Sequence, residues 1–394
     1  MRFTFTDEQS LFRDGLQRFL DKSFSIDTRR QMVSSREAGS EELWAGLAAL
    51  GALGVPISED SGGYGGSGVE AMIIMQELGK ALVFEPYLSS VVISAGLVDL
   101  CGSHFQKNIL IPEIVKGERT LALAHTEELG SEGSETLTTT AVQSGTKWVL
   151  NGHKKMILGG ATADRFLISA RTTQGDMDGV TLFIVESLEE SIEGKAYPLV
   201  DGSRVLDIKF RDLEVGPESV LGVINQAQPV IDYVHDRATA ALCAEALGLM
   251  EVIHEMTLEY IRTRRQFGTA LSQFQVLQHK AVDMFINIEE VRSLVINAAD
   301  KGWSTDTHER VRAVSAAKAL TNRASRFVSQ QAIQLHGGMG MTQELPLSDY
   351  VRRLLVIESL FGSERFNRSR FASNTGSEQP LAVLASPKKR WKQI

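Results

Sequence analysis

The hydrophobic period of the chain changes twice, and that order constrains the fold more than any single motif. From Thr6 to about Gly117 apolar residues recur three and four apart, as Leu11, Phe12, Leu16, Phe19 and Leu20 do, the stripe of a helix with one buried face. Segments 41–50 and 69–82 repeat it, and Asp7 is placed to cap the first helix, because a short oxygen-bearing side chain accepts the free N–H groups of a first turn. Between 119 and 221 the period shortens. Runs at 138–142, 148–151, 165–171, 180–185 and 205–210 are cut by Gly145, Gly152, Gly175, Gly179 and Gly202, which predicts an antiparallel meander closing into a barrel or sandwich. After Asn225 long helical segments return at 226–263, 272–300, 307–336 and 346–370. Long striped helices with short connections pack as an antiparallel four-helix bundle.

The expected fold is therefore α+β: an N-terminal α-helical domain over 1–118, a middle antiparallel β domain (barrel or sandwich) over 119–225, a C-terminal four-helix bundle over 226–375, and a tail over 376–394. A length of 394 residues agrees, since one small core does not serve a chain of that size.

Composition narrows the function. A net charge of −8 argues against nucleic acid as the main partner. No run of about 20 apolar residues is present, so no membrane span is expected. The start, Met1 to Glu8, lacks the basic end and apolar run of a secretory signal, and a cytoplasmic location is expected. Cys101 and Cys243 are the two cysteines; without a CxxC or a Cys/His cluster they predict neither a disulfide framework nor a metal site, and read as small buried hydrophobes. The basic run Lys388-Lys389-Arg390 falls in the tail and reads as solvated. The glycine-rich loop 61–68 is either a plain connector or a place where backbone meets a ligand.

Three motifs lie in the helical C-terminal half. Arg264-Arg265-Gln266-Phe267-Gly268 follows the first bundle helix, Phe274-Gln275-Val276-Leu277-Gln278 opens the second, and Gln334-Leu335-His336-Gly337-Gly338-Met339-Gly340 closes the third. A guanidinium grips phosphate oxygens with paired donors, so Arg264 suits a diphosphate. Gly337 and Gly338 let backbone approach an anion where a Cβ would collide. Gln275 and Gln334 can hydrogen-bond the same ligand, and Phe267 offers an apolar wall. In this order and at these distances the motifs resemble those of the acyl-CoA dehydrogenase family, over residues 1 to about 375. The resemblance implies FAD as cofactor, an acyl-CoA substrate, an electron-transfer flavoprotein as acceptor, and an oligomer in which these groups serve the FAD of a neighbouring subunit.

The flavin-ring and catalytic signatures depart from the family. Its T-E-P-x-x-G-S-D segment reads Thr126-Glu127-Glu128-Leu129-Gly130-Ser131-Glu132 here, and only Thr126 carries over as a cofactor contact. Its N-G-x-K-x-W-I-T/S segment reads Asn151-Gly152-His153-Lys154-Lys155-Met156-Ile157-Leu158. Met156 stands for the tryptophan and Leu158 for the hydroxyl, and Leu158 has no donor to offer. In the family a carboxylate removes the substrate α-proton while flavin takes hydride from Cβ. The two positions that carry this base hold Phe361 and Ala238 here, and neither accepts a proton.

Glu245 is the remaining candidate base. It lies seven residues after Ala238, on the same helix face, inside the apolar run 240–247, where burial raises a carboxylate pKa. Its alternative is a buried glutamate paired with an arginine of a neighbouring helix. Glu358 comes second, with Glu344 and Glu364 as further carboxylates, while Asp236 and Arg237 suggest a local ion pair. The departures resemble the small subunit of heteromeric acyl-CoA dehydrogenases of the pimeloyl-CoA dehydrogenase type. Two functions follow as expectations: an FAD-dependent subunit forming a 2,3-enoyl-CoA, with Glu245 as base, or a non-catalytic partner lending FAD-binding and interface residues to a paralogous subunit. The acyl group is left open.

Overall fold

The computed structural model describes residues 4–127, 137–174 and 177–374. Its helical beginning comprises α1 (Asp7–Ser23), α2 (Ile26–Ser35), α3 (Glu41–Ala49) and α4 (Gly68–Lys80), then a π-helical stretch (Tyr87–Ala95) running into α5 (Gly96–Cys101), and α6 (His104–Val115). The cap of α1 is Thr6 rather than Asp7. The Thr6 hydroxyl accepts from the Gln9 N–H, and the Gln9 side chain accepts from the Thr6 N–H, so two otherwise unpaired donors are satisfied reciprocally.

A sheet follows, made of β1 (Leu121–Ala124), β2 (Thr140–Ser144), β3 (Lys147–Leu158), β4 (Arg165–Gln174), β5 (Met177–Glu186), β6 (Ile192–Pro198), β7 (Arg204–Val215) and β8 (Val220–Leu221). Its order is β6-β7-β3-β2-β4-β5-β8, with β1 added on β4. Here the fully antiparallel expectation needs correction. β1 and β2 both run parallel to β4, pairing 121–124 with 165–168 and 140–141 with 171–172. They occupy successive stretches of one strand, an arrangement that the alternation of side chains does not encode.

The helical end comprises α7 (Gln228–Thr263), α8 (Gln275–Lys301), α9 (Thr307–His336), α10 (Leu347–Ser359) and α11 (Glu364–Ser373). The expected helix over 346–370 is broken in two. Phe361 (φ 55°) and Gly362 (φ 93°) are left-handed, and the Asn367 side chain donates to the carbonyls of Phe361, Gly362 and Ser363, satisfying the backbone that the break exposes. Between α7 and α8 a tight hairpin joins β9 (Arg265–Gln266) to β10 (Thr269–Ala270). Phe267 (φ 55°) and Gly268 (φ 81°) form its turn, the positive-φ pair that matches strand twist.

One apolar core runs through both helical regions and a second lies within the sheet. The first is tight where α4 crosses α7. A Cβ on Gly79 would come within 2.4 Å of the Glu245 carbonyl oxygen, and one on Gly248 within 2.2 Å of that of Gln76. Among the described residues no helix is long and apolar enough to cross a membrane, and no group of three or more His, Cys, Asp or Glu could hold a metal ion.

Candidate functional site

The end of α7, the start of α8 and the end of α9 meet at one end of the bundle, where Tyr260 stacks on His336 at 4.4 Å. Arg264 closes α7: its N–H donates to the Tyr260 carbonyl at 2.8 Å, and its own carbonyl accepts from Leu271 at 2.9 Å. Arg264, Gln275, Gln334, Gly337 and Gly338 are all exposed, and Phe267 is 91% exposed. Nothing lies within 4 Å of where a Cβ on Gly337 or Gly338 would stand, and Gly337 has φ 60°. Charged and amide donors beside open glycine backbone fit an anionic dinucleotide. Within one chain these groups form an open surface. The apolar face of α8 beside it, Val282, Phe285 and Ile286, is exposed as well.

The inner site is different. Thr126 follows β1, and its carbonyl accepts from Lys155 N–H at 2.7 Å. Beside it lies a buried network that sequence reasoning missed. The Lys154 ammonium donates to Glu127 at 2.7 Å, to Ser169 at 3.1 Å and to the His125 carbonyl at 3.2 Å. The N–H groups of Thr138 and Thr139 also donate to Glu127, at 2.5 and 3.1 Å. Burial opposes the charge on Glu127, but the Lys154 charge and these hydrogen bonds outweigh it and hold the carboxyl near 2. Burial, with His235 and the Lys154 charge adding to it, brings His125 down to about 3, a neutral ring at pH 7. The signal was present in β3, where Trp148, Leu150 and Lys154 share the inward side. The segment 128–136, which carries the doubled Gly-Ser-Glu, lies outside the described residues.

At the two positions where the resemblance implies a base, Phe361 packs 5.1 Å from the His235 ring and Ala238 is fully buried. Glu245 is buried as expected, yet its carboxylate is closed off. Arg353 on α10 donates to one oxygen at 2.5 Å and to the other at 3.0 Å, and also reaches Asp201 in the β6–β7 turn at 3.1 Å. The structure thus pairs Glu245 with an arginine of a neighbouring helix, the second of the two arrangements expected for it.

The other carboxylates are also engaged or exposed. Glu358 is paired with Arg326 and Glu364 with Arg368, and Glu344 is exposed. Asp236 and Arg237 do not pair. Asp236 binds Arg310 at 2.9 Å and Arg370 at 2.7 Å, while Arg237 lies over the Tyr233 and Trp303 rings. Adjacent residues on a helix face different directions. Of the cysteines, Cys243 is buried and Cys101 half-buried, its thiol pushed up to about 12 by burial.

Met156 is left-handed (φ 51°), and its N–H donates to Asp207 at 2.8 Å. Leu158, Leu360 and Glu85 line one cavity of about 80 Å³. Burial, opposed by the Ser40 N–H at 2.8 Å, raises Glu85 from its ordinary value of 4.5 to about 7. A carboxyl raised on folding stabilises fully below pH 4.5, and that contribution fades as pH climbs to 7. Glu85→Gln should remove this slope and exceed the parent at pH 8 by up to about 3 kcal/mol. Urea midpoints at pH 5 and pH 8 measure it, and equal slopes for the two proteins would count against it.

Models of the acyl-CoA dehydrogenase N-terminal, middle and C-terminal domains match residues 6–118, 122–212 and 232–375. The short-chain-specific acyl-CoA dehydrogenase of Clostridium acetobutylicum is 28% identical over 380 residues, covering 93% of this chain and 98% of that protein. The CarC subunit of the caffeyl-CoA reductase–Etf complex of Acetobacterium woodii is 26% identical, covering 92% and 96%. Among solved structures, a chain of the ChsE4–ChsE5 complex from Mycobacterium tuberculosis superposes with a TM-score of 0.85 at 24% identity, covering 95% and 98%. Three consecutive domain models in the family's own order leave one conclusion: the chain belongs to the acyl-CoA dehydrogenase family, whose members are FAD-dependent oxidoreductases.

Proposed function

We propose that this chain is the partner subunit of a heteromeric acyl-CoA dehydrogenase. It lends Arg264, Phe267, Gln275, Gln334, Gly337 and Gly338 to the FAD of a paralogous neighbour, and that neighbour supplies the base for α-proton removal. The assembly forms a 2,3-enoyl-CoA and passes electrons to an electron-transfer flavoprotein. One observation carries the reading: Glu245 is gripped at both oxygens by Arg353 while Phe361 and Ala238 stand where a base is needed. A site without its positioned base loses roughly 10²–10⁴ in rate.

This chain's residues would act as follows. Arg264 binds the diphosphate through paired N–H donors. Gln275 and Gln334 orient it, and the open backbone at Gly337 and Gly338 lets it approach. Phe267 and the apolar face of α8 exclude water at the junction with the neighbour. Bound FAD supplies the hydride acceptor of the reaction. Leu158 offers no hydrogen bond and the Met156 N–H is held by Asp207, so the chain's own inner cleft fits the flavin ring poorly. Assembly of unlike chains has a parallel on this fold, since the matched ChsE4–ChsE5 structure is a complex of two proteins.

The test is to purify the chain alone and together with a paralogous dehydrogenase subunit. Flavin retention and enoyl-CoA formation are expected only in the mixture. A lone chain that retains flavin and turns over acyl-CoA overturns the reading.

A further inference from the structure

A cleft of about 710 Å³ opens between α2, the β6–β7 turn and the start of α10. Five guanidiniums line it, those of Arg29, Arg30, Arg36, Arg204 and Arg352, against the carboxylates of Asp201 and Asp349. Both carboxylates are already engaged. Asp349, buried, is shared by Arg29 at 3.5 Å, Arg30 at 2.8 Å and Arg352 at 3.1 Å. Asp201 turns to Arg353 and to Ser203. Among the described residues Arg36 and Arg204 have no carboxylate partner. Three positive charges are left uncompensated in one concave site, on a chain whose net charge is −8.

The floor is built rather than incidental. Arg29 is 1% exposed and donates to the carbonyls of Leu82 at 3.2 Å and Asp201 at 2.7 Å. A buried guanidinium tied to two backbone oxygens holds the cleft open from below and is fixed before any ligand arrives. Arg36 ends α2 in a left-handed conformation (φ 64°), which a residue with a Cβ adopts at a cost. The volume is that of a small-molecule site, and planar guanidinium forks match phosphoryl oxygens.

We propose that this cleft binds a phosphorylated small molecule through Arg36 and Arg204, with Arg30 and Arg352 contributing charge. The ligand class is a phosphate-bearing nucleotide. Two sources share that chemistry, a free nucleotide and the nucleotide end of coenzyme A. The second is geometrically open because Arg204 also lines the Leu158 cavity. The site does not depend on the reading of the FAD-binding end.

Isothermal titration of the full chain at low salt, with inorganic pyrophosphate, adenosine 3′,5′-bisphosphate and coenzyme A, tests it. Saturable pyrophosphate binding is expected, weakened at least about tenfold in the Arg36→Gln/Arg204→Gln double variant, because removing one charge-assisted hydrogen bond costs roughly that factor. Unchanged thermal midpoints without ligand show that the variant is folded. Coenzyme A binding much more tightly than the bisphosphate assigns the source to the coenzyme, and equal binding assigns it to the free nucleotide. No saturable binding of pyrophosphate, or binding that the double variant leaves intact, overturns the proposal.

Discussion

Arg353→Met should destabilise the protein by roughly 3–5 kcal/mol, because it strands Glu245 and Asp201 as buried charges without their cation. The thermal midpoint should fall by roughly 4–6 °C. Glu245→Gln alone keeps an acceptor for one Arg353 donor and should cost less. The double variant should be more stable than the sum of the two, since the residues are in direct contact. Calorimetry on the four proteins closes the cycle. Additive losses would mean that the short contacts on Glu245 are not what holds α7 to α10. The same glutamate variant separates structure from chemistry. Acting as base, Glu245 would take roughly 10²–10⁴ of the rate with it when changed to Gln; as the partner of Arg353 it should leave the turnover of the assembled enzyme nearly unchanged.

Lys154→Met should have an effect of similar size through a different mechanism. Lys154 is fully buried, and its loss leaves Glu127 charged, buried and held only by the Thr138 and Thr139 donors. A cost of roughly 3–5 kcal/mol is expected, partly restored by adding Glu127→Gln. The pH dependence gives a second reading. Glu127 is lowered on folding from 4.5 to about 2, so its contribution is present above pH 4.5 and disappears as pH falls toward 2. The parent should lose stability steeply over that interval and the Lys154→Met protein much less. Parallel acid transitions in the two proteins would contradict the assignment.

Much of the architecture was readable from period alone. The stripe at Leu11 to Leu20 predicts α1, and the long runs after Asn225 predict α7, α8 and α9 almost to their ends. What periodicity missed has local causes. The break at Phe361–Gly362 depends on Asn367 reaching back to three carbonyls, a tertiary contact that side-chain spacing does not encode. The parallel pairing of β1 and β2 along β4 is likewise a matter of register between distant segments.

At the site, the motif residues fall at one end of the helical bundle. Arg264, Gln275, Gln334, Gly337 and Gly338 are ends of helices, where spacing along the chain fixes which end of a bundle they share. Glu245 could be recognised as buried from its apolar neighbours. Its partner could not, because Arg353 lies 108 residues away on another helix. Lys154 is legible as inward-facing from the alternation of β3, but its carboxylate partner is not. The arginine cleft was invisible, since its members come from α2, a strand turn and α10.

The most direct test of the central claim is the flavin content of the proposed heteromer carrying Arg264→Ala in this chain. Removing the guanidinium proposed to hold the diphosphate should weaken FAD binding by roughly 10–100-fold, so the dialysed complex should remain assembled and lose its flavin absorbance. An Arg264→Ala complex that keeps its full flavin through dialysis would contradict the claim that this chain holds the diphosphate of its neighbour's FAD.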